Sequence, residues 1–208
     1  MKNIYIILTQ TGTIVSSLIQ RYTGDPYNHA SIAFDRSLKV MYSFGRKHRY
    51  NLFNNGFVEE NLNQGLFAVF PKAKCLVLEL GVDDDQFDAM QKWVNVFVQR
   101  RDMYRYNTAG LLGYMLGVPL GRKDRYFCSQ FVASVLGTTQ VWARPPGLTK
   151  PMDFTSIMHK TVVYEGTVWE YNIQQGLRFE PQSVPTMYKR LFPLLYCLTQ
   201  RHRFPHRL

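Results

Sequence analysis

The stretch HASIAFDRSLKVMYSF, His29 to Phe44, holds two short apolar runs parted by Asp35, Arg36 and Ser37. Runs of this length broken by polar turn residues predict antiparallel strands joined as a hairpin or meander. In the second run Leu38, Val40, Tyr42 and Phe44 alternate with Lys39, Met41 and Ser43, so one face is apolar and the other mixed. In the first, His29, Ser31 and Ala33 share a face, and Ala30, Ile32 and Phe34 share its opposite. A histidine that opens a strand has its ring held by a sheet, and this one heads a small, uncrowded face.

Working outward, IYIILT (Ile4 to Thr9) reads as a buried strand and GTIVSSLIQRYTG (Gly12 to Gly24) as a helix closed by glycine. Downstream, NLFNNG is a turn-rich loop, and FVEENL, LFAVF and CLVLEL read as further strands of an antiparallel set. VDDDQFDAMQKWVNVFVQRR is the clearest helix, with aspartates at its start, arginines at its end and a buried stripe of Phe87, Met90, Trp93, Val94, Phe97 and Val98. NTAGLLGYMLG predicts a short helix, Pro151 to Asp153 open another, and TVVYEGTVWEY predicts a late hairpin. The expected class is α+β, in a single domain over residues 1–208.

In DRYFCSQFVASVLG, Asp124 to Gly137, Cys128 stands where a helix begins, ahead of Phe131, Val132, Val135 and Leu136. A thiol attacks as its thiolate, and a free thiol with a pKa of about 8.5 is mostly protonated at neutral pH. The N–H groups and dipole of a helix start lower that value in part, and a histidine in hydrogen-bond reach does the rest. Of the five histidines, His202 and His206 fall in a basic tail, and His48 and His159 read as surface residues, which leaves His29, read from the residues alone, as either a structural histidine of the sheet or the partner of Cys128.

The formal charge is +10, part of it in the tail QRHRFPHRL, which suits an anionic surface or polymer. Three cysteines are too few for a disulfide framework, so Cys75 and Cys197 read as reduced core residues of a cytoplasmic protein. The N-terminus has the form of a strand and not of a signal peptide, and no apolar run approaches the roughly 18 residues of a membrane span. No metal or nucleotide motif occurs, so no cofactor is expected.

The order SLIQRYTGDPYNHASIAFD, then VMYSFGRK, and much later YFCSQFVASVL resembles the circularly permuted papain-like domains of the NlpC superfamily, in particular their YiiX-like bacterial branch of unassigned function. In that permuted group the histidine precedes the cysteine, as it does here. The resemblance covers about residues 3–170 as a papain-like core and leaves a C-terminal extension with the basic tail at about 171–208. It implies an antiparallel sheet carrying His29 packed against the Cys128 helix. It also implies a polar residue on the strand after the histidine to orient the imidazole, and strand parity makes that residue Ser43. Gln10 and Tyr42 are the candidate oxyanion or substrate-binding residues, beside the Cys128 backbone N–H. The implied activity is a cysteine hydrolase, peptidase or amidase, or an acyltransferase, acting on a peptide, amide or lipid ester. The alternative is an inactive papain-like fold that binds an anionic lipid, cell-wall polymer or nucleic acid.

Overall fold

Every residue from Ile4 to Thr9 is buried, with Ile4, Ile6 and Leu8 on one face and Tyr5 and Ile7 on the other. A strand covered on both faces belongs in the interior of a sheet. The computed structural model, which describes residues 1–10, 24–47 and 54–177, places it there. The strands are β1 (Lys2–Thr9), β2 (His29–Ala33), β3 (Met41–Arg46), β4 (Asn55–Glu60), β5 (Lys74–Val82), β6 (Arg105–Tyr106), β7 (Arg125–Tyr126) and β8 (Thr161–Thr167). Six of them form one antiparallel sheet in the order β4-β3-β2-β1-β5-β8, while β6 and β7 pair with each other in parallel.

Helices cover both faces of the sheet. They are α1 (Gly65–Val69), α2 (Asp84–Gln99), α3 (Thr108–Met115), α4 (Cys128–Gly137) and α5 (Val168–Gln174). On one face Ala30, Ile32, Phe44 and Phe57 pack with Met90, Val94 and Phe97 of α2 and with Phe131, Val132 and Val135 of α4. On the other, Ala33, Met41, Cys75 and Val77 pack with Phe67 of α1 and with Val168 and Tyr171 of α5. The chain is therefore a mixed α+β protein built on an antiparallel sheet. Among the described residues no helix is long and apolar enough to cross a membrane.

The helix α2 forms as its sequence predicts, with the Asp83 carboxylate accepting from the Gln86 N–H at its start. Three expectations fail locally. LFAVF contains the helix α1 and not a strand, because a five-residue apolar run carries no period that separates the two. The late hairpin is one strand, β8, leading into α5: Thr167 and Glu170 form a capping box that starts a helix where a return strand was expected. Alternation in the second run starts only at Met41, since Leu38 adopts a left-handed backbone and is buried against the second face while Val40 is exposed. The helix expected over 12–24 lies, except for Gly24, outside the described residues, as do His48 and the C-terminal segment with Cys197, His202 and His206.

Phe131 is the hub of the α4 interface, with the rings of Phe44, Phe57, Phe97 and Trp93 at 5.4, 5.6, 5.3 and 5.8 Å. Phe131→Ala is expected to lower stability by about 3–5 kcal/mol through lost burial and a residual cavity, read as a shift in the urea unfolding midpoint.

Candidate active site

The site starts from a break in the sheet. β2 and β3 pair at Ile32 and Tyr42, and the ladder opens from there toward His29. The N–H and C=O of a strand residue point to the same neighbour, so the opening strips Ala30 of both its partners on β3. A buried carbonyl left bare costs about 1–3 kcal/mol. Here the Ser43 hydroxyl donates to the Ala30 carbonyl at 2.7 Å. The freed Ala30 N–H turns to the sulfur of Cys128, which enters from α4.

Cys128 is the first residue of α4, so its own N–H and that of Ser129 lie outside the intrahelical ladder, whose first bond runs from Phe131 N to Phe127 O at 2.9 Å. The helix start is braced from two sides. Ser129 Oγ donates to the Thr149 carbonyl at 2.7 Å, and the Trp142 indole donates to Thr149 Oγ1 at 3.1 Å. Gln130 Oε1 accepts from the Phe127 N–H at 3.3 Å and from Asn107 Nδ2 at 3.3 Å. Asn107 in turn caps α3 through the Gly110 N–H. The β6–β7 pair sets Tyr106 beside the same helix start, and Tyr106 donates its phenol hydrogen to Cys128.

His29 hydrogen-bonds Cys128. Its Nε2 lies 2.9 and 3.0 Å from the two carboxylate oxygens of Glu60, on β4. An ionised carboxylate only accepts, so Nε2 carries the hydrogen and Nδ1 is the nitrogen left for the thiol. Ser31 Oγ donates to Glu60 Oε2 at 2.7 Å and fixes the carboxylate in turn. Gly45, on the strand between, keeps this bridge open. A Cβ there would stand 3.4 Å from Glu60 Oε1 and 3.7 Å from His29 Cε1, so any larger side chain would wedge between the two.

The electrostatics follow from these contacts. Burial pushes the Cys128 thiol up, but the hydrogen bond and charge of His29 and the N–H groups of Ala30 and Ser129 outweigh it and hold the thiol below its ordinary value. Burial works against the imidazolium too, yet the Glu60 charge and the bond to Cys128 raise His29 well above its usual range. Glu60 is held low, against its burial, by the His29 charge and by bonds from His29 and Ser31. Cys75 shows the contrast: buried with no cation, its thiol is pushed up to about 12. The contacts thus favour the thiolate of Cys128 and the imidazolium of His29 over their neutral forms.

The structure thus brings together Cys128 and His29 of the residues singled out from sequence. Ser43 does not orient the imidazole: it shares the face of His29, as parity requires, but its hydroxyl is committed to the Ala30 carbonyl. Glu60 takes that place because its longer side chain reaches over Gly45 from a strand further away. Tyr42 does not line the cleft beside Cys128 either: half-buried, it packs on the first-face core against Phe34 and Phe57, with centroids 6.1 and 6.2 Å away. Gln10 continues β1, with its N–H on the Lys74 carbonyl at 2.9 Å, and does not line the cleft beside Cys128. Glu60 had one legible signal, a second consecutive glutamate in a strand otherwise fit for burial. Tyr106 and Asn107 had none, because a two-residue strand leaves no pattern.

The cleft beside Cys128 has a volume of about 20 Å³, room for about one water, and its walls include Tyr27, Tyr106, Leu111, Tyr114 and the ion pair Lys150–Asp25 at 2.9 Å. An acyl group that reaches the sulfur must turn wall side chains aside. A separate hollow of about 420 Å³ is lined in part by Trp142, Ile157 and His159 and shares no residue with the cleft. Among the described residues no group of three or more histidine, cysteine, aspartate or glutamate side chains is arranged to hold a metal ion. Comparison with protein-family models, curated proteins and solved structures finds no match to the chain.

Iodoacetamide is expected to alkylate Cys128 at pH 6 faster than a model thiol and to leave Cys75 untouched, as mass spectrometry of the modified peptides would show. In Glu60→Gln the loss of the anion lowers the His29 pKa and so raises that of the thiol. The acid limb of the alkylation profile then moves to higher pH, and an unmoved limb would separate Glu60 from the thiol chemistry.

Proposed function

We propose that the chain is a cysteine hydrolase or acyltransferase of the permuted papain-like kind, with Cys128 as nucleophile, His29 as general base and acid, and Glu60 as the residue that orients the imidazole. One observation carries the reading: a lowered thiol hydrogen-bonded to an imidazole whose second nitrogen is gripped by both oxygens of a carboxylate. A structural cysteine needs none of this, as Cys75 illustrates.

The chemistry runs in two halves. The Cys128 thiolate attacks the carbonyl carbon of an ester or amide, and the carbonyl π pair moves onto oxygen. Donors for that oxyanion are at hand in the Cys128 N–H at the helix start and the Tyr106 hydroxyl, in place of the Gln10 expected from sequence. As the tetrahedral adduct collapses, the bond to the leaving group breaks, and His29 gives its Nδ1 proton to the departing alcohol or amine. An acyl thioester on Cys128 remains. His29, now neutral, takes a proton from water or from an acceptor hydroxyl or amine, which attacks the thioester and returns the thiolate. Water gives hydrolysis, and any other acceptor gives acyl transfer.

Glu60 acts through His29. Its carboxylate keeps Nε2 protonated and stabilises the imidazolium that stands before the first attack and forms again during the second, which a serine hydroxyl would do without charge. A panel of electrophilic peptide and lipid esters tests the reading. Intact-mass spectrometry should find a covalent acyl adduct on the wild type and none on Cys128→Ala. Glu60→Gln should slow adduct formation on the order of 100-fold, the usual scale of general acid–base assistance. A folded wild type that forms no adduct at Cys128 with any member would overturn the proposal.

A further inference from the structure

Apart from Leu111, the segment that follows Tyr106 keeps its aliphatic side chains at least partly in water. Leu112, Leu116, Val118 and Leu120 are 58, 80, 49 and 44% exposed, and all lie on α3 or on the turn that follows it. This is not a loose end. The turn folds back on the helix, with the Val118 N–H on the Gly113 carbonyl at 2.9 Å and Asn107 Nδ2 on the Leu120 carbonyl at 3.0 Å. Gly110 and Gly113 allow the close approach, since a Cβ at either would stand 2.9 or 2.6 Å from the Leu120 or Val118 carbonyl oxygen. The backbone is satisfied inward; Leu112 and Leu116 are left mostly in water, while Leu120 lies over Gly113 and stays partly exposed. Contiguous apolar exposure of this kind marks an interaction surface.

The charge beside it selects the partner. Between Met103 and Arg125 the one acidic residue is Asp124, half-buried, against the exposed cations Arg105, Arg122, Lys123 and Arg125. The parallel pairing of Arg105 with Arg125 and the bridge between Arg122 and Arg125 gather three of these cations into one cluster. An aliphatic ridge rimmed by Lys and Arg is the composition that sinks into an anionic bilayer surface, apolar tips among the acyl chains and cations at the headgroups. The same helix walls the cleft: Leu111 and Tyr114 line it beside Cys128, one residue before and two after the exposed Leu112.

We propose that residues 112–125 form a docking surface for an anionic lipid bilayer, seating the Cys128 cleft against the headgroup region. Resting on the acyl chemistry assigned to Cys128, the substrate class is then a lipid ester whose carbonyl lies at the depth of the glycerol backbone.

Sedimentation of the full chain with vesicles of phosphatidylcholine alone, or mixed with phosphatidylglycerol, tests the docking. The wild type and Cys128→Ala should bind the anionic vesicles alike and the neutral ones weakly. Leu112→Asp with Leu116→Asp, or Arg122→Glu with Lys123→Glu, should each weaken binding by about tenfold or more. Both pairs sit on the surface, and circular dichroism checks that the fold is kept. Vesicle binding that both double variants retain would place the contact elsewhere on the chain and overturn the proposal, as would ridge-dependent capture of an acidic protein with no vesicle binding. The substrate class is read separately. The leucine double variant should lose rate toward a vesicle-embedded ester and keep its adduct rate with a water-soluble ester, and equal losses on both would overturn it. Vesicle binding without any Cys128 adduct would remove the acyl chemistry and leave the docking in place.

Discussion

A carboxylate taken out of water costs several kcal/mol unless a charge and hydrogen bonds replace its hydration, and Glu60 has only 17% of its side chain exposed. It meets that cost with His29 on both oxygens and Ser31 on one. Neither partner is optional. Without the imidazolium the pKa of the carboxylate would rise, and without the carboxylate that of the buried imidazole would fall. Each group supplies the condition under which the other stays charged, and the low thiol of Cys128 is the third member of the same balance.

The sheet bends its rules to make room for that balance. A continuous β2–β3 ladder would use up the Ala30 amide group and close the gap through which Cys128 meets His29. The ladder opens instead, and the loss is made good by two substitutes, a serine hydroxyl on the carbonyl and a sulfur on the N–H. Ser43 thus contributes to the site without touching the imidazole. The helix that delivers the sulfur is anchored on one side by aromatic packing around Phe131 and at its start by Thr149 and Asn107. Rigidity at that point matters because a thiol displaced by an ångström would lose the imidazole.

How far the sequence could be read depended on how local each feature is. β1, α2 and α4 follow from runs whose period or caps lie within the segment itself, and the same local logic put Cys128 at a helix start and His29 at a strand start. Reading failed where two local signals tied. LFAVF was too short to show a period, and TVVYEGTVWEY read as a hairpin while the Thr167–Glu170 box, four residues long, decided for a helix. Ser43 and Glu60 failed differently. Parity put Ser43 on the correct face, but parity along one strand says nothing about which side chain on a neighbouring strand is long enough to arrive first.

The amino-acid sequence by itself determined the class of the fold and singled out Cys128 and His29, because hydrophobic period, helix start and strand start are properties of contiguous residues. Only the tertiary structure decided that Cys128 and His29 meet, that Glu60 stands behind them and that Tyr106 faces the thiol. Those relations depend on strand order and on a ladder left open at Ala30, and neither is written in the spacing along the chain. Distance in space is set by how the sheet is ordered and where it parts, and that is settled by the packing of the whole core.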